Sequence, residues 1–254
     1  MLGWGDKVAA VPSEFVNAHG IGLLIGFAAS GRLVPPDMIV AMSMQHTPVH
    51  MSAGYLLVRG KPVEEARELL AETALEHGAR FLWFVDDDTI PPPNACRKLI
   101  YELEQDPLAM VCGGIYTARC DPPSPVVFQG LGMGSYWRWK KGEVFECSGM
   151  GAGCMMIKTE IFKQLPKPWF KFDIVESDDL KNPGHNISED IYFCEAVRRE
   201  GYKILAHGGV LCDHYDGATG NFFSLPEDSY PMRKETSSTK VEEIPTEKEK
   251  EKEN

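Results

Sequence analysis

The run Phe81-Leu82-Trp83-Phe84-Val85, followed at once by Asp86-Asp87-Asp88, constrains this chain more than any other stretch. Five consecutive apolar residues of this kind read as a buried strand. Three carboxylates at its end repel one another and are costly there without a cation. At the carboxyl end of a parallel strand, where α/β folds bind ligands, they make a hard-oxygen site suited to Mg2+ or Mn2+. In an extended stretch Asp86 and Asp88 point to one side and Asp87 to the other. The competing reading is a polar loop in which aspartate serves a turn or a helix cap.

The surrounding pattern alternates. Met38–Met44 is a short apolar run, read as a strand. Pro62–His77 then carries Val63, Ala66, Leu69, Leu70, Ala74 and Leu75 at helical spacing, with Gly78 as a stop. After the acidic strand, Pro91–Gln105 reads as a helix and Leu108–Ile115 as a strand ending in Gly113-Gly114. Strand and helix alternating at this pace predict β-α-β units and a mainly parallel sheet. The second half differs. Tyr136–Lys140 and Glu143–Cys147 look like an antiparallel hairpin, and a glycine-rich stretch (Gly149, Gly151, Gly153) runs into apolar Cys154–Ile157. Ser188–Glu200 reads as a helix, with Ser188 as N-cap and Gly201 as stop. Lys203–Ala206 and Val210–Cys212 read as the last short strands. The expected fold class is therefore α/β, a mixed and mostly parallel sheet flanked by helices, with an antiparallel hairpin in the second half. The expected organisation is a helical preamble over residues 1–36, a folded domain over 37–232, and a charged tail over 233–254. That tail is almost entirely Lys, Glu, Ser and Thr, which cannot bury enough to offset its ordering entropy.

Charge and cysteine usage narrow the function classes. The formal net charge is −11, and the tail is nearly balanced, so the body is acidic. An acidic body argues against a broad nucleic-acid-binding face, which rests on neutralising phosphates. The seven cysteines are scattered and form no C-x-x-C pair, which suggests buried, reduced thiols and a cytoplasmic protein. The most apolar early stretch, Ile21 to Ala29, is far shorter than the roughly 20 residues that cross a bilayer. No transmembrane segment is expected.

Two further constellations carry chemistry. Ile187-Ser188-Glu189-Asp190 opens the late helix. Acids at that position are ordinary capping chemistry, or else a carboxylate aimed into a cleft as general base. Cys212-Asp213-His214-Tyr215-Asp216 follows a short strand. His214 reads as a metal ligand or a satisfied core histidine. Taken in order, Asp86-Asp87-Asp88, Glu189-Asp190 and His214 resemble the GT-A glycosyltransferases, Rossmann-like in fold, and their family-2-like inverting members in particular. The likeness spans roughly Met38 to Asp216, and includes Gly113-Gly114-Ile115-Tyr116, Gly151-Ala152-Gly153 and Trp169-Phe170.

The resemblance implies an enzyme that moves a sugar from a UDP- or GDP-sugar donor to an acceptor hydroxyl. It makes Asp88 a metal ligand, with Asp86 and His214 completing the shell for a divalent Mn2+ or Mg2+. It makes Asp190 the general base, with Glu189 beside it. It places the donor near Gln45, His46, Thr47, Arg67, Asp86, Asp87, Gly151 and Gly153. For Arg67, a solvated pair with Glu64 or Glu68 competes with a donor role. Trp137, in the aromatic–basic run Tyr136–Lys141, and Trp169 are candidates for acceptor contact. The acceptor itself, the stereochemistry, and the register of the Asp-x-Asp element stay open at this point. Two other readings compete. One is a haloacid-dehalogenase-like phosphatase using Asp178-Asp179 as its later acidic pair. The other is a non-catalytic nucleotide-sugar or carbohydrate binder.

Overall fold

The computed structural model describes residues 21–29, 31, 34–130, 132–175 and 185–225. The charged tail, the first twenty residues and Asp178-Asp179 lie outside the described residues. The strands run, in chain order, β1 Leu23–Ala29, β2 Ala53–Arg59, β3 Phe81–Val85, β4 Thr89–Ile90, β5 Ala109–Ile115, β6 Val127–Phe128 and β7 Val144–Cys147. They continue with β8 Gly149–Met150, β9 Cys154–Lys158, β10 Asp173–Val175, β11 His185–Ile187, β12 Lys203–Leu211, β13 Asp213–Asp216 and β14 Asn221–Phe223. The helices are α1 Pro36–Ser43, α2 Val63–Glu76, α3 Ala95–Gln105 and α4 Glu189–Arg199.

Seven strands form the main sheet in the order β2-β1-β3-β9-β5-β12-β7. β2, β1 and β3 are mutually parallel, as are β5 and β12, while β9 runs antiparallel between β3 and β5. Alternation along the buried strands divides the apolar residues between two faces. Leu24, Leu82 and Phe84 join one core with Ala66, Leu70 and Ala74 of α2 and Phe193 and Val197 of α4. Leu23, Ile25, Phe81, Trp83 and Val85 join the other with Met38 of α1 and Cys96, Leu99, Ile100 and Leu103 of α3. The last four residues stand at i, i+3, i+4 and i+7, one stripe of a helix. The result is a sheet sandwiched between helices, with the carboxyl ends of β1 and β3 opening at one edge of the layers.

Three sequence expectations are corrected. Residues 23–29 are a central strand rather than part of a helical preamble, so the sheet begins ahead of residue 37. The run over residues 38–44 forms most of α1 and its C-cap Met44 instead of a strand. Pro35 and Pro36 start it, and only Met38 and Ala41, one turn apart, are buried. Tyr136–Lys140 forms no strand. β7 pairs with β12 instead, because the Gly142 and Gly208 amides bond Gly208 and Glu143 carbonyls and dock that bend on β12. Trp139 fills the space there, so close that a Cβ on Gly208 would lie 2.8 Å from its ring. The second half instead pairs β13 with β14, and β10 with β11, antiparallel. Among the described residues no helix is long and apolar enough to cross a membrane. Six of the seven cysteines are buried, Cys120 is exposed, and all are free thiols.

Candidate active site

β3 ends at Val85, and the three aspartates form a turn closed by the Thr89 amide donating to the Asp86 carbonyl at 3.1 Å. Strand alternation therefore stops before them. Asp86, Asp87 and Asp88 all line one groove of about 380 Å3, and Asp87 also borders the cavity beside β1 and β2. Ala28, Ala29, Lys61 and Arg119 line the same groove. Directly after the turn, β4 pairs antiparallel with β13, in a register that sets His214 opposite Thr89. Two residues of strand thus bring residue 88 and residue 214 together. Asp88 Oδ1 lies 3.5 Å from His214 Nε2.

The tautomer of His214 follows from its other nitrogen. Nδ1 is 2.6 Å from the Thr117 carbonyl, which can only accept, so Nδ1 carries the hydrogen and Nε2 presents a lone pair. That lone pair faces Asp88 and receives Arg119, whose Nε donates at 3.1 Å. Arg119 Nη2 also donates to Asp88 Oδ2. Tyr116 packs edge-on against the imidazole, with centroids 5.2 Å apart.

Asp86 belongs to a second arrangement. Arg67, on α2 and 3% exposed, donates from Nη2 to both Asp86 oxygens at 3.1 Å. Its Nε lies 3.2 Å from Glu189 Oε1, an ion pair without hydrogen-bond alignment, and its guanidinium sits over Phe84. The competing reading of a solvated pair with Glu64 or Glu68 does not hold, since Arg67 is buried on Asp86 and Glu189. Glu68 instead accepts the Trp169 and Phe170 amides. Arg67 is a buried bridge between the acidic turn and the start of α4. Burial pushes the Asp86 carboxyl up, against the pull of Arg67 and with help from Asp88. Burial also pushes Glu189 up to about 7, Arg67 opposing. Arg67 rises above its ordinary value, since Asp86, Glu189 and Asp190 outweigh the effect of burial.

The two acids at the start of α4 face different ways. Glu189 is buried towards Arg67, and Asp190 lines a separate, mostly apolar cavity of about 490 Å3 with Val126, Phe128, Ile187 and Ile191. Ser188 occupies the N-cap position but makes no cap bond. Its hydroxyl donates to Asp190 Oδ1, which also accepts the Ile191 amide at 2.8 Å. Asp190 Oδ2 accepts the Ala152 amide at 3.2 Å. Residues normally spent on capping a helix here fix the orientation of one carboxylate.

Other predicted site residues lie elsewhere. Gln45, His46 and Thr47 follow α1, not the first strand. Gln45 bonds the Ala41 and Pro92 carbonyls and the Cys96 amide, and His46 Nδ1 bonds Asn94, so the pair ties α1 to α3. Thr47 is half-buried in the same stretch. The space beside the first strand is a third cavity of about 510 Å3, lined by Phe27, Met38, Ile39, Tyr55, Arg59 and Asp87 among others. Gly151 and Gly153 pack under Tyr116. A Cβ at Gly151 would lie 2.0 Å from its hydroxyl, and one at Gly153 would lie 2.6 Å from Thr89 Oγ1. Trp169 is core, 4.9 Å from Phe162 and donating to the Leu165 carbonyl, and cannot meet an acceptor. Trp137 is partly exposed and lies outside the lining of the cavity beside Asp190. Arg119 was not foreseen, because a lone arginine in Ala118-Arg119-Cys120 carries no local signal of the two groups it meets.

Among the described residues no three acidic, histidine or cysteine side chains converge on one point. Asp88 with the Nε2 lone pair of His214 is nevertheless a chemically apt half-shell for a divalent ion. Small hard cations are commonly held by one or two protein ligands, with substrate phosphates and waters supplying the rest. The backbone-fixed imidazole is the second-shell arrangement that orients such a ligand.

Residues 66–165, less than half of the chain, match the family model of glycosyl transferase family 2. No curated protein matches the sequence. Among solved structures, the crystal structure of A197 from STIV superposes with a TM-score of 0.55 at 19% identity, covering 84% of this chain and 98% of that chain. Apo UDP-glucose pyrophosphorylase and its complex with UDP-glucose superpose at TM-scores of 0.43 and 0.42, each at 12% identity over 78% of this chain and 93% of theirs. Those last two likenesses are too loose to bear on function. The acidic strand end and Arg67 thus fall within the segment that matches glycosyl transferase family 2, while β1, β2, Glu189, Asp190 and His214 lie outside it, and the mixed, mostly parallel sheet is of the GT-A, Rossmann-like kind.

Proposed function

We propose that the protein is a metal-dependent glycosyltransferase, moving a sugar from a nucleoside-diphosphate sugar to an acceptor hydroxyl. The observation that carries this reading is the linkage of three sequence-distant groups around the carboxyl end of β3. Arg67 ties the Asp86 turn to the Glu189-Asp190 helix start, and β4–β13 pairing sets His214 against Asp88.

The donor base would occupy the cavity beside β1 and β2, and the diphosphate the groove with Lys61 and Arg119. Asp88 and His214 would hold Mn2+ or Mg2+, which supplies Lewis-acid stabilisation to the departing diphosphate. The acceptor would sit in the apolar cavity with its hydroxyl at Asp190. As the acceptor oxygen bonds the anomeric carbon, the bond to the diphosphate oxygen breaks and the hydroxyl proton passes to Asp190. Base and leaving group on opposite sides of the sugar give inversion. Ser188 and the amides of Ala152 and Ile191 hold the accepting carboxylate in place. Glu189, buried on Arg67, positions the helix start and does not reach the acceptor cavity.

Calorimetric titration of UDP, GDP and their sugars, with Mn2+, with a chelator and with Asp88→Ala, tests the reading. Manganese-dependent binding of one nucleotide family, lost in the variant, is the expected result. Absence of nucleotide binding under every condition would refute it.

A further inference from the structure

Arg119 stands where a divalent ion would have to bind. Its Nη2 bonds Asp88 Oδ2, and its Nε donates to the His214 Nε2 lone pair at 3.1 Å. Those are the two electron-pair donors of the half-shell, and Asp88 Oδ1 is only 3.5 Å from the imidazole nitrogen. A guanidinium and a metal ion cannot both hold His214, because Nε2 has a single lone pair, and two cations so close together at Asp88 repel each other. His214 cannot offer the ion its other nitrogen, which donates to Thr117. Asp86 already accepts from Arg67 with both oxygens, so each has only its second lone pair to offer an ion.

We infer that Arg119 is the built-in occupant of the cation position between Asp88 and His214, and that a divalent ion enters only together with a nucleoside diphosphate that takes over the guanidinium. The inference rests on the donor reading above. Arg119 lies in the bend after β5, its side chain 28% exposed, and lines the same groove as Lys61. A diphosphate entering that groove offers Arg119 oxygens that match its planar fork. Releasing Asp88 and His214 then opens the half-shell to the ion. Metal and nucleotide bind cooperatively, and by linkage each raises the affinity of the other by the same factor. The chain thereby keeps Asp88 paired with a cation when no donor is present.

Mn2+ binding, read from the electron paramagnetic resonance of the free ion, tests this on the full chain, Arg119→Ala and Arg119→Lys. Each is titrated without nucleotide, with UDP and with GDP. The expected result is that Arg119→Ala binds Mn2+ alone at least about tenfold more tightly than the parent, roughly the value of one charge-assisted bond. Arg119→Lys should fall between, since it keeps the charge but not the fork. The nucleotide-induced gain in Mn2+ affinity should shrink by a similar factor in Arg119→Ala. Equal Mn2+ affinity in parent and Arg119→Ala, or weaker affinity in the variant, overturns the inference. Should Arg119→Ala fail to melt cooperatively, Arg119→Lys decides by the same criterion. Failure of both nucleotides to bind the parent at any Mn2+ level instead sinks the transferase reading. In that case a tighter Mn2+ site in Arg119→Ala still supports Arg119 as occupant and overturns the coupling.

Discussion

Replacing Arg67 with methionine removes the guanidinium that holds Asp86 and Glu189 together while leaving most of the side-chain volume in place. Arg67 is 3% exposed and Glu189 is 5% exposed, whereas Asp86 keeps some solvent contact. Breaking a buried ion pair by removing one partner costs about 3–5 kcal/mol. The partial exposure of Asp86 and the ease of protonating Glu189 put this case at the low end, about 3 kcal/mol near neutral pH. In a domain of this size that is a fall in Tm of about 6–12 °C. The loss is pH-dependent. Glu189 titrates at about 7 when folded, against an ordinary 4.5, so protonation favours the folded state. Its contribution is full below pH 4.5 and is lost as pH rises through 7. Without Arg67 the folded value climbs further, and the deficit grows with pH by up to about 1.4 kcal/mol per unit. Urea unfolding at pH 5.5 and pH 8, on Arg67→Met and on Arg67→Met/Glu189→Gln, measures this. The double variant should recover much of the loss at pH 8 and little at pH 5.5. A cost below about 1 kcal/mol, identical at both pH values, or no recovery from Glu189→Gln, would refute the bridge as the source of stability.

Two other expectations concern the cleft. Gly151→Ala drives a methyl into the Tyr116 hydroxyl and should cost about 1–3 kcal/mol, as overpacked cores do. Tyr116→Phe on that background should return part of it in thermal melts, and no recovery would mean that the strain lies elsewhere. Asp190→Asn should leave nucleotide binding intact while lowering kcat by about 10^2–10^4, the usual contribution of a general base. Equal losses in donor affinity and turnover, read by calorimetry and donor-consumption assays, would place Asp190 in the donor site instead.

The elements that were legible in the sequence had an internal period or sharp punctuation. α2 lies within the predicted span and stops before Gly78, and β3, β5, α3 and α4 follow their apolar patterns closely. The three acidic and histidine constellations were legible because type and order survive in one dimension. β1 was not, since Leu-Leu-Ile-Gly-Phe-Ala-Ala is apolar throughout and carries neither helical nor strand alternation. α1 has eight residues with two buried positions, too short for a period to outweigh its β-branched and apolar content. The reach of Arg67 and Arg119 depends on which strands become neighbours, and that information sits in pairings such as β4 with β13. Strand alternation does not govern the three aspartates, because they form a turn beyond the end of β3.

The antiparallel strand β9 also has a consequence for synthesis. β3 and β5 have no direct pairing, because residues 154–158, made some forty residues after β5 ends, wedge between them. While the chain is still emerging, the facing edges of those two strands lie bare, apolar and open to foreign strands. The acidic turn at the tip of β3 stands beside one of those edges. Its Asp86 amide finds its acceptor only in the Gly153 carbonyl at the entry to β9. A ribosome-stalled chain ending shortly before residue 154 would therefore carry the aspartates but not the frame that aims them. Insertion of β9 frames the acidic turn, and α4 and β13, made later, bring Glu189, Asp190 and His214 to it.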